Sequence, residues 1–270
     1  ISFAFKLFYY IRFLGEIDAI MAGHSKWANI QHKKGKTDAK RGKLFTRLIR
    51  EVTVAARLGG ADVKANPRLR SAIETALSAN MAKDTVERAA ARGAGDLASD
   101  SYEELRYEGY GPHGVAVVVD CMTDNRNRTV AEIRHAFSKC GGKLGTDGSV
   151  SYLFQKIGYL SFGSEIDQDA LMDAAIEAGA DDVLVGDDGG QEILINPDDF
   201  HAVASDILAA GYVPETQEVT LRADTTVELE LEQAEKMMYF IDMLEELDDV
   251  QKVYSNAEIS NQVLDALGAS

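Results

Sequence analysis

The apolar run VAVVVDC at residues 115–121 constrains the fold of this chain more than any other stretch. A strand with one face in solvent alternates apolar and polar residues, whereas this run is apolar at nearly every position. Both of its faces must therefore be covered, or the strand must lie centrally in its sheet. The run predicts a buried strand in a domain where sheet and helix pack together.

Before this strand, apolar residues recur with the period of an α-helix. A helix over about residues 39–58 has one apolar stripe, made by Leu44, Phe45, Leu48, Ile49, Val52 and Ala55. Asn66-Pro67 predicts the start of a second helix, with Asn as N-cap and Pro in the first position. Asp84 with Glu87 has the capping-box spacing for a third helix that ends at Gly93. Three short amphipathic helices can bury their stripes only against one another, which predicts a small bundle.

After the bundle, the pattern changes to strands and helices. Strands are predicted at residues 105–108, 115–121 and 150–154, with a helix capped by Asn127 between the last two. Residues 159–221 then follow the order βαββαβ, which is the split-βαβ signature of a ferredoxin-like domain. A last helix at 231–247 and a strand at 250–254 cannot form a core alone. We expect them to return to the sheet that was begun before residue 157.

These patterns predict an α+β fold: an N-terminal three-helix bundle plus two α/β sandwich-type domains, the third ferredoxin-like and inserted in the second. The predicted limits are an upstream extension at 1–20, a basic helical domain at 21–97, a discontinuous α/β domain at 98–157 with 223–262, and a ferredoxin-like domain at 158–222.

Residues 1–20 are aromatic and are followed directly by Met21. Lys6 and Arg12 interrupt the apolar run, which is too short to span a bilayer. Glu16 and Asp18 do not fit a mitochondrial presequence. We interpret the segment as an upstream extension with Met21 as the true start; a structural or membrane-surface element is the alternative.

Charge is distributed unevenly along the chain. The whole sequence has 28 Lys and Arg against 44 Asp and Glu, a net charge of −16. Residues 21–92 contain 16 basic and 6 acidic residues, whereas residues 93–270 contain 10 basic and 36 acidic ones. A basic head on an acidic body is the asymmetry expected when one domain binds a polyanion. For the acidic body, solubility is the simpler explanation.

The basic residues cluster on and before the first helix. On a helical projection, a cationic ridge of Lys40, Lys43, Arg47, Arg50 and Arg57 lies opposite the apolar stripe. We predict that nucleic acid is bound by the ridge and a preceding arm, through His24, Lys26, Trp27, His32, Lys33, Lys34, Lys36, Lys40, Lys43, Arg47 and Arg50. Each cation placed against phosphate releases a condensed counterion. The alternatives are that the ridge only solvates a surface helix, and that Trp27 anchors the arm to the bundle.

Patterns that would indicate catalysis or metal binding are incomplete. Gly35-Lys36-Thr37 lacks the earlier glycine of a P-loop, because Ile30 stands there. Gly109, Gly111 and Gly114 have GxGxxG spacing but lead into a strand, where a dinucleotide site needs a helix.

The remaining candidate groups do not complete a site either. The five histidines show no ligand spacing, and Asp120 with Asp124 lacks a partnered base or nucleophile. Cys121 and Cys140, 19 positions apart, argue against a disulfide scaffold or zinc site and suit a reducing cytoplasm. We therefore predict no catalytic residues, no metal, no cofactor and no small-molecule substrate. An enzyme that uses a cleft between the α/β domains is a distant alternative.

The stretch MAGHSKWANIQHKKGKTDAKRGKLFTRLIREV resembles the YebC/PmpR family, to which mitochondrial translational activators of cytochrome oxidase synthesis also belong. The resemblance continues through SANMAKDTVERAAARG, YEGYGPHGVAVVVDCMTDNRNRT and GGKLGTDGSVSYLF, and covers about residues 21–262. Ala82 departs from it, since the family has Pro there. The resemblance implies a cytoplasmic protein of three domains. Family members are described as DNA-binding transcriptional regulators and as ribosome-associated factors that help translation through difficult sequences.

A choice between RNA and DNA rests on the form of the basic surface. A basic arm and ridge without a helix-turn-helix signature suits structured RNA or backbone recognition better than sequence-specific DNA readout. Our hypothesis is a monomeric, cytoplasmic, non-enzymatic factor that binds no membrane and acts on the translating ribosome, contacting rRNA or tRNA. The alternative is a transcriptional regulator that binds promoter DNA.

Overall fold

The computed structural model of the chain describes residues 38–95, 102–186 and 189–268. The first range forms a bundle of α1 (Asp38–Gly59), α2 (Pro67–Ser78) and α3 (Lys83–Ala94). Its core is built from small and aliphatic side chains of all three helices, including Val52, Ala55, Leu69, Ala76 and Val86. Burying this apolar surface supplies the main driving force for the bundle.

The close approach of α1 and α3 depends on Gly93. A Cβ atom at this position would lie 2.1 Å from the carbonyl oxygen of Thr53. The Thr53 hydroxyl also donates to the carbonyl oxygen of Ala89, at 3.3 Å. The two helix backbones are therefore nearly in contact at this crossing.

Two predicted helix starts have different outcomes. Asn66 is the N-cap of α2, as predicted: its side-chain oxygen accepts from the Leu69 amide at 3.0 Å. The predicted capping box of Asp84 and Glu87 is wrong, because α3 begins at Lys83 with Ala82 as its N-cap. Asp84 instead forms an ion pair with Arg88, at 3.2 Å, on the exposed side of the helix.

Two antiparallel sheets with their helices follow the bundle. In chain order the elements are β1 (Glu103–Tyr110), β2 (Ala116–Thr123), α4 (Arg126–Lys139), β3 (Lys143–Leu144), β4 (Phe154–Phe162), α5 (Gln168–Ala178), β5 (Asp182–Val185), β6 (Gln191–Ile195), α6 (Phe200–Ala209), β7 (Thr216–Ala223), β8 (Val227–Glu228), α7 (Leu231–Glu245), β9 (Val250–Ser255), β10 (Ala257–Glu258) and α8 (Asn261–Gly268). Short 3-10 turns lie at Pro112–Gly114 and Ser151–Leu153.

The first sheet has the order β3-β1-β2-β9, with β2 in an interior position. On one face of β2, Val117 and Val119 belong to the core that contains Phe137 of α4 and Phe240 of α7, whose rings meet edge to face. On its other face, Val118 packs with Val150 and Phe154. The prediction that this strand is buried on both faces is confirmed.

The second sheet has the order β5-β6-β4-β7, and α5 and α6 cover one face of it. The four strands are antiparallel, as in a split βαβ unit, so the predicted ferredoxin-like fold is confirmed. Beyond it, β9 returns to pair with β2. The ferredoxin-like unit is therefore inserted within the domain built on the first sheet, as the α+β prediction requires.

The strand predicted at residues 150–154 is absent. Residues Ser151–Leu153 form a 3-10 turn and β4 begins at Phe154. The amides of Val150 and Ser151 donate to the carboxylate of Glu108 instead of to a neighbouring strand, at 2.9 and 2.8 Å. In this segment, hydrogen bonds to a side chain thus take the place of backbone hydrogen bonds between strands.

Two further sequence predictions concern α4 and the cysteines. The N-cap of α4 is Asn125 rather than Asn127. Cys121 and Cys140 are both free. Burial raises the pKa of the Cys121 thiol to about 12, as expected for a core residue with little thiolate character. Among the described helices, none is long and apolar enough to cross a membrane.

Candidate nucleic-acid interface

The structure describes the side chains of three of the predicted nucleic-acid-binding residues: Lys43, Arg47 and Arg50. Lys40 lies in the first turn of α1, but its side chain is outside the described part. The arm residues also lie outside the described residues: His24, Lys26, Trp27, His32, Lys33, Lys34 and Lys36. The geometry of the candidate interface is therefore that of α1 and what it faces.

Lys43, Arg47 and Arg50 follow one another at helical spacing on the same side of α1. They face the turn that joins α7 to β9. Between helix and turn lies a cleft of about 350 Å³, here called the α1 cleft, lined by Gly42, Lys43, Thr46, Arg47, Arg50, Leu247 and Asp248. The cleft is large enough for a phosphate group and has three cations on one wall.

The same three cations donate hydrogen bonds to carbonyl groups at the end of α7 and in the turn that follows it. Lys43 Nζ donates to Glu246 O at 2.5 Å, and an Nη2 group of Arg47 donates to Glu245 O. Arg50 Nη1 donates to Asp248 O at 2.8 Å. The last carbonyl groups of a helix lack partners within the helix and carry partial negative charge. Lys43 and Arg47 thus cap the C-terminus of α7, and Arg50 binds the turn beyond it.

Arg50 extends this contact to the first sheet. Its Nη1 group also donates to the carbonyl oxygen of Met122, at the end of β2, at 3.0 Å. It lies 3.5 Å from Oδ1 of Asp249. Its side chain is only 11% exposed, so it is held between the bundle and the sheet.

Asp249 is the buried acceptor of this region, with 1% of its surface exposed. Its Oδ2 accepts from the hydroxyl groups of Thr123 and Thr129, at 2.9 and 2.8 Å, and from Arg128 Nη2 at 2.8 Å. Burial alone would raise the pKa of this carboxyl group, but the hydrogen bonds from Arg128, Thr129 and Thr123 outweigh it and lower the pKa. Asp249 is therefore ionised at neutral pH and anchors the turn.

The hydrogen-bond acceptors of the α1 cations are mostly neutral carbonyl groups, while the carboxylates of Glu245, Asp248 and Asp249 act on Arg47 and Arg50 by charge. Lys43 is exposed and has three N–H donors, of which one is used by Glu246 O. Burial lowers the pKa of Arg47, while the nearby Glu245 and Asp248 act in the opposite direction. A guanidinium group stays charged in proteins, so Arg47 remains a cation. Lys43 therefore has further N–H donors in the α1 cleft, whose lining also includes Asp248.

The ridge is only in part the solvent-facing surface that the sequence predicts. Arg47, Arg50 and Arg57 are partly buried against other elements, and an Nη2 group of Arg57 donates to Tyr102 O at 2.6 Å. Helical periodicity places these residues opposite the core of the bundle. It contains no information on a turn about 200 residues further along the chain.

The contact between bundle and first sheet is polar. Besides the α1 cations, Arg68 of α2 forms ion pairs with Glu51 at 2.8 Å and with Glu104 of β1. The hydrophobic cluster of the bundle and that of the first sheet share no residue within the described ranges. Within those ranges, too, no group of three or more His, Cys, Asp and Glu is placed to hold a metal ion.

Comparison with known proteins identifies the family. Residues 25–96 match the TACO1/YebC protein N-terminal domain. Residues 102–257 match the TACO1/YebC second and third domain. The chain belongs to the TACO1/YebC family. The α1 cleft therefore lies where the N-terminal domain of this family meets the second and third domains.

Relatives in the TACO1/YebC family are similar over their whole length. A protein of Methylococcus capsulatus named "probable transcriptional regulatory protein" is 63% identical over 248 residues, covering 92% of this chain and all of the relative. Proteins of the same name from Nitrosococcus oceani and Francisella tularensis are 61% and 60% identical, with the same coverage. The crystal structure of a conserved hypothetical protein from Aquifex aeolicus is also similar, with 46% identity and a TM-score of 0.74, over 83% of this chain and 93% of that chain.

Proposed function

We propose that this TACO1/YebC-family protein is a nucleic-acid-binding regulator of gene expression that acts on the translating ribosome and catalyses no reaction. In this proposal the N-terminal bundle contacts rRNA or tRNA through the arm and the α1 cleft, and the α/β body positions the bundle. The observation that carries the proposal is the wall of Lys43, Arg47 and Arg50, whose hydrogen bonds go mainly to neutral carbonyl groups.

Phosphate is the ligand that suits this wall. Lysine and arginine donate to phosphate oxygens through charge-assisted hydrogen bonds, and binding a polyanion releases condensed counterions. The rest of the protein is strongly acidic: residues 93–270 contain 36 acidic and 10 basic residues. The body should be repelled by a phosphate backbone, so that nucleic acid is directed to the bundle.

RNA is favoured over duplex DNA by the first turn of α3. A recognition helix carries base-reading side chains in its N-terminal turn. The first turn of α3 contains Asp84, which pairs with Arg88 of the same helix at 3.2 Å, and Glu87 follows in the next turn and pairs with Lys83 at 3.7 Å. Acidic side chains at this place would repel the phosphates that flank a major groove. Cations grouped in a cleft suit the phosphates of folded RNA.

A DNA-binding transcriptional regulator is the second candidate, and the names of the relatives favour it. The two candidate functions predict different ligand preferences and different salt dependence of binding. A promoter-binding protein should shift one duplex sequence in preference to others and resist moderate salt, since base contacts supply the specificity. A ribosome-bound factor should prefer ribosomal particles to any short duplex.

Sedimentation through a sucrose gradient tests the proposal. Wild-type protein should migrate with ribosomes, and the variant Lys43→Gln with Arg47→Gln should stay at the top of the gradient. Glutamine is chosen because a carboxylate beside the end of α7 would also repel its carbonyl groups. Losing two phosphate contacts should lower the salt-dependence slope of binding by roughly 1.5.

The matched control is Lys83→Gln with Arg88→Gln. It removes the same charge from exposed sites on α3, outside the cleft. The control variant should sediment like wild type, and circular dichroism should show both variants folded. The proposal is wrong if wild-type protein never migrates with ribosomes, or if the two variants lose binding equally. A preference for one promoter duplex would favour the second candidate.

A further inference from the structure

The α/β body is acidic, and helix α4 is the exception. Residues 125–146, which contain α4 and β3, have five basic residues and one acidic residue. The other residues of 93–270 have five basic and 35 acidic ones. Half of the lysine and arginine of the body is therefore concentrated in this short segment. Solubility depends on net charge, so it does not explain why the few cations are placed together.

The solvent-exposed side of α4 carries no carboxylate. Asn127, Ala131, Arg134 and Ser138 are all exposed and recur at the spacing of one helix face. Glu132, the only acidic residue of the helix, is half-buried and lies on another side. A phosphate backbone can therefore approach this face of the body without meeting an acidic side chain of the helix.

Two arginines of α4 have no carboxylate partner. Arg126 and Arg134 are exposed, and neither forms an ion pair with a carboxylate of the described part of the chain. Eight residues of an α-helix span about 12 Å along its axis, so the two guanidinium groups can contact separate phosphates. Other cations of the body do form ion pairs: Arg106, Arg128, Lys236 and Lys252.

Arg128 joins the first turn of α4 to the contact made by the bundle. Its Nη2 group donates to Asp249 Oδ2 at 2.8 Å, and Arg50 Nη1 of α1 lies 3.5 Å from Oδ1 of the same carboxylate. Asp248, the neighbour of Asp249 in the chain, lines the α1 cleft. Arg128 also pairs with the exposed Asp124 at 2.9 Å, which balances the charge of that carboxylate. The first turn of α4 therefore lies beside the α1 cleft.

We propose that Arg126 and Arg134 form a second contact site for RNA phosphates, so that one RNA strand contacts the bundle at the α1 cleft and the domain built on the first sheet at α4. The inference rests on the proposed function, and it adds binding residues on the acidic body. Phosphate contacts position a nucleic acid without reading its bases, so the α4 site should add affinity with no sequence preference. Binding of the strand at one site raises its effective concentration at the other.

RNA binding by the full chain tests the α4 site. Fluorescence anisotropy should be measured with a labelled 20-nucleotide single-stranded RNA at several salt concentrations. Arg126→Gln with Arg134→Gln should weaken binding by about 3- to 30-fold, because two exposed charge contacts are lost. The same variant should lower the slope of log affinity against log salt by roughly 1.4.

The matched control is Lys156→Gln with Lys236→Gln. These lysines are exposed on β4 and α7, so the control removes the same charge from the body outside α4. It should change the affinity by less than about 2-fold, since salt screens distant surface charges. Circular dichroism should show both variants folded. Equal weakening in the two variants would mean that only the total charge matters, and would refute the α4 site.

Crosslinking gives a second readout that does not depend on affinity. The same RNA containing 4-thiouridine should crosslink to peptides of α1 and of α4, identified by mass spectrometry. Wild-type protein that binds neither RNA nor ribosomes would refute the proposed function itself. Unchanged RNA binding by the α4 variant, with crosslinks only outside α4, would refute the second site alone. Loss of ribosome binding by a variant that still binds RNA as wild type would mean that α4 contacts a protein, and would also overturn the inference.

Discussion

Arg50 of α1 lies 3.5 Å from Asp249, across the contact between the helical bundle and the first sheet. The two residues are 199 positions apart, and Asp249 is also held by Arg128, Thr123 and Thr129. The Asp249 carboxylate therefore takes part both in the core of the domain built on the first sheet and in the contact of that domain with the helical bundle. Changes to Asp249 should affect both.

Asp249→Asn should destabilise the protein by about 3 kcal/mol, because it removes the charge from a buried, paired carboxylate and leaves the facing donors poorly matched. Chemical denaturation followed by circular dichroism measures the change. Asp248→Asn is the matched control: this neighbour is exposed, and it uses its main-chain oxygen for Arg50. Equal stability of the two variants would contradict the anchoring role of Asp249.

Acid should destabilise the protein at a defined pH. The pKa values of Asp249 and Glu108 are lowered in the folded state, so each carboxylate contributes stability that is fully present above its ordinary pKa of about 4. That stability is lost as the pH falls through the folded-state values. The melting temperature should thus be insensitive to these two groups between pH 7 and 5 and should decrease below about pH 4.

A double variant isolates the two carboxylates in that titration. Asp249→Asn with Glu108→Gln should start from a lower melting temperature and show a shallower decrease between pH 5 and 3. Scanning calorimetry at intervals of half a pH unit provides the comparison. A decrease as steep as that of wild type would mean that other carboxyl groups control acid unfolding.

Gly93→Ala should destabilise the bundle by about 1–3 kcal/mol, because the added methyl group would collide with the carbonyl oxygen of Thr53. Gly42→Ala is the matched helical control, since a Cβ atom there meets nothing within 4 Å. In the control, better helix propensity should raise stability by about 0.5–1 kcal/mol. Thermal unfolding of both variants measures these changes. A change in stability of the same sign in both variants would contradict the close crossing of α1 and α3.

Arg50→Met should loosen the turn between α7 and β9 without unfolding the sheet. Methionine fills a similar volume but cannot donate to Asp248 O or Met122 O. Hydrogen exchange measured by mass spectrometry should accelerate in residues 244–250 and stay unchanged in residues 116–121 of β2.

The control for this experiment is Arg70→Met, because Arg70 donates to Val63 O within the bundle itself. It should leave exchange at the turn as in wild type. Equal exchange rates at the turn in wild type and in Arg50→Met would show that Arg50 does not hold the turn.

The sequence predicts most of the fold because its signals are local. The apolar run of β2, the Asn66-Pro67 start of α2 and the βαββαβ order all depend on neighbouring residues. The absent strand at 150–154 has a non-local cause, since Glu108 captures amides more than 40 positions away. Helix α8 and the two-residue strands β8 and β10 are short elements whose formation depends on packing, and periodicity predicts none of them.

The candidate site is predictable on one side only. Helical projection brings Lys43, Arg47 and Arg50 together, and the structure agrees. The hydrogen-bond acceptors of these cations cannot be recognised in the sequence, because they are mainly main-chain carbonyl oxygens, which every residue has.

The use of main-chain acceptors at the end of α7 has a consequence for sequence variation. Glu246 and Asp248 accept hydrogen bonds from the bundle through their main-chain oxygens, which all amino acids have. Their side chains can therefore change without loss of these hydrogen bonds. The donating cations have no such freedom. Related chains should therefore differ widely at these two positions while they retain a basic residue at each place that faces them.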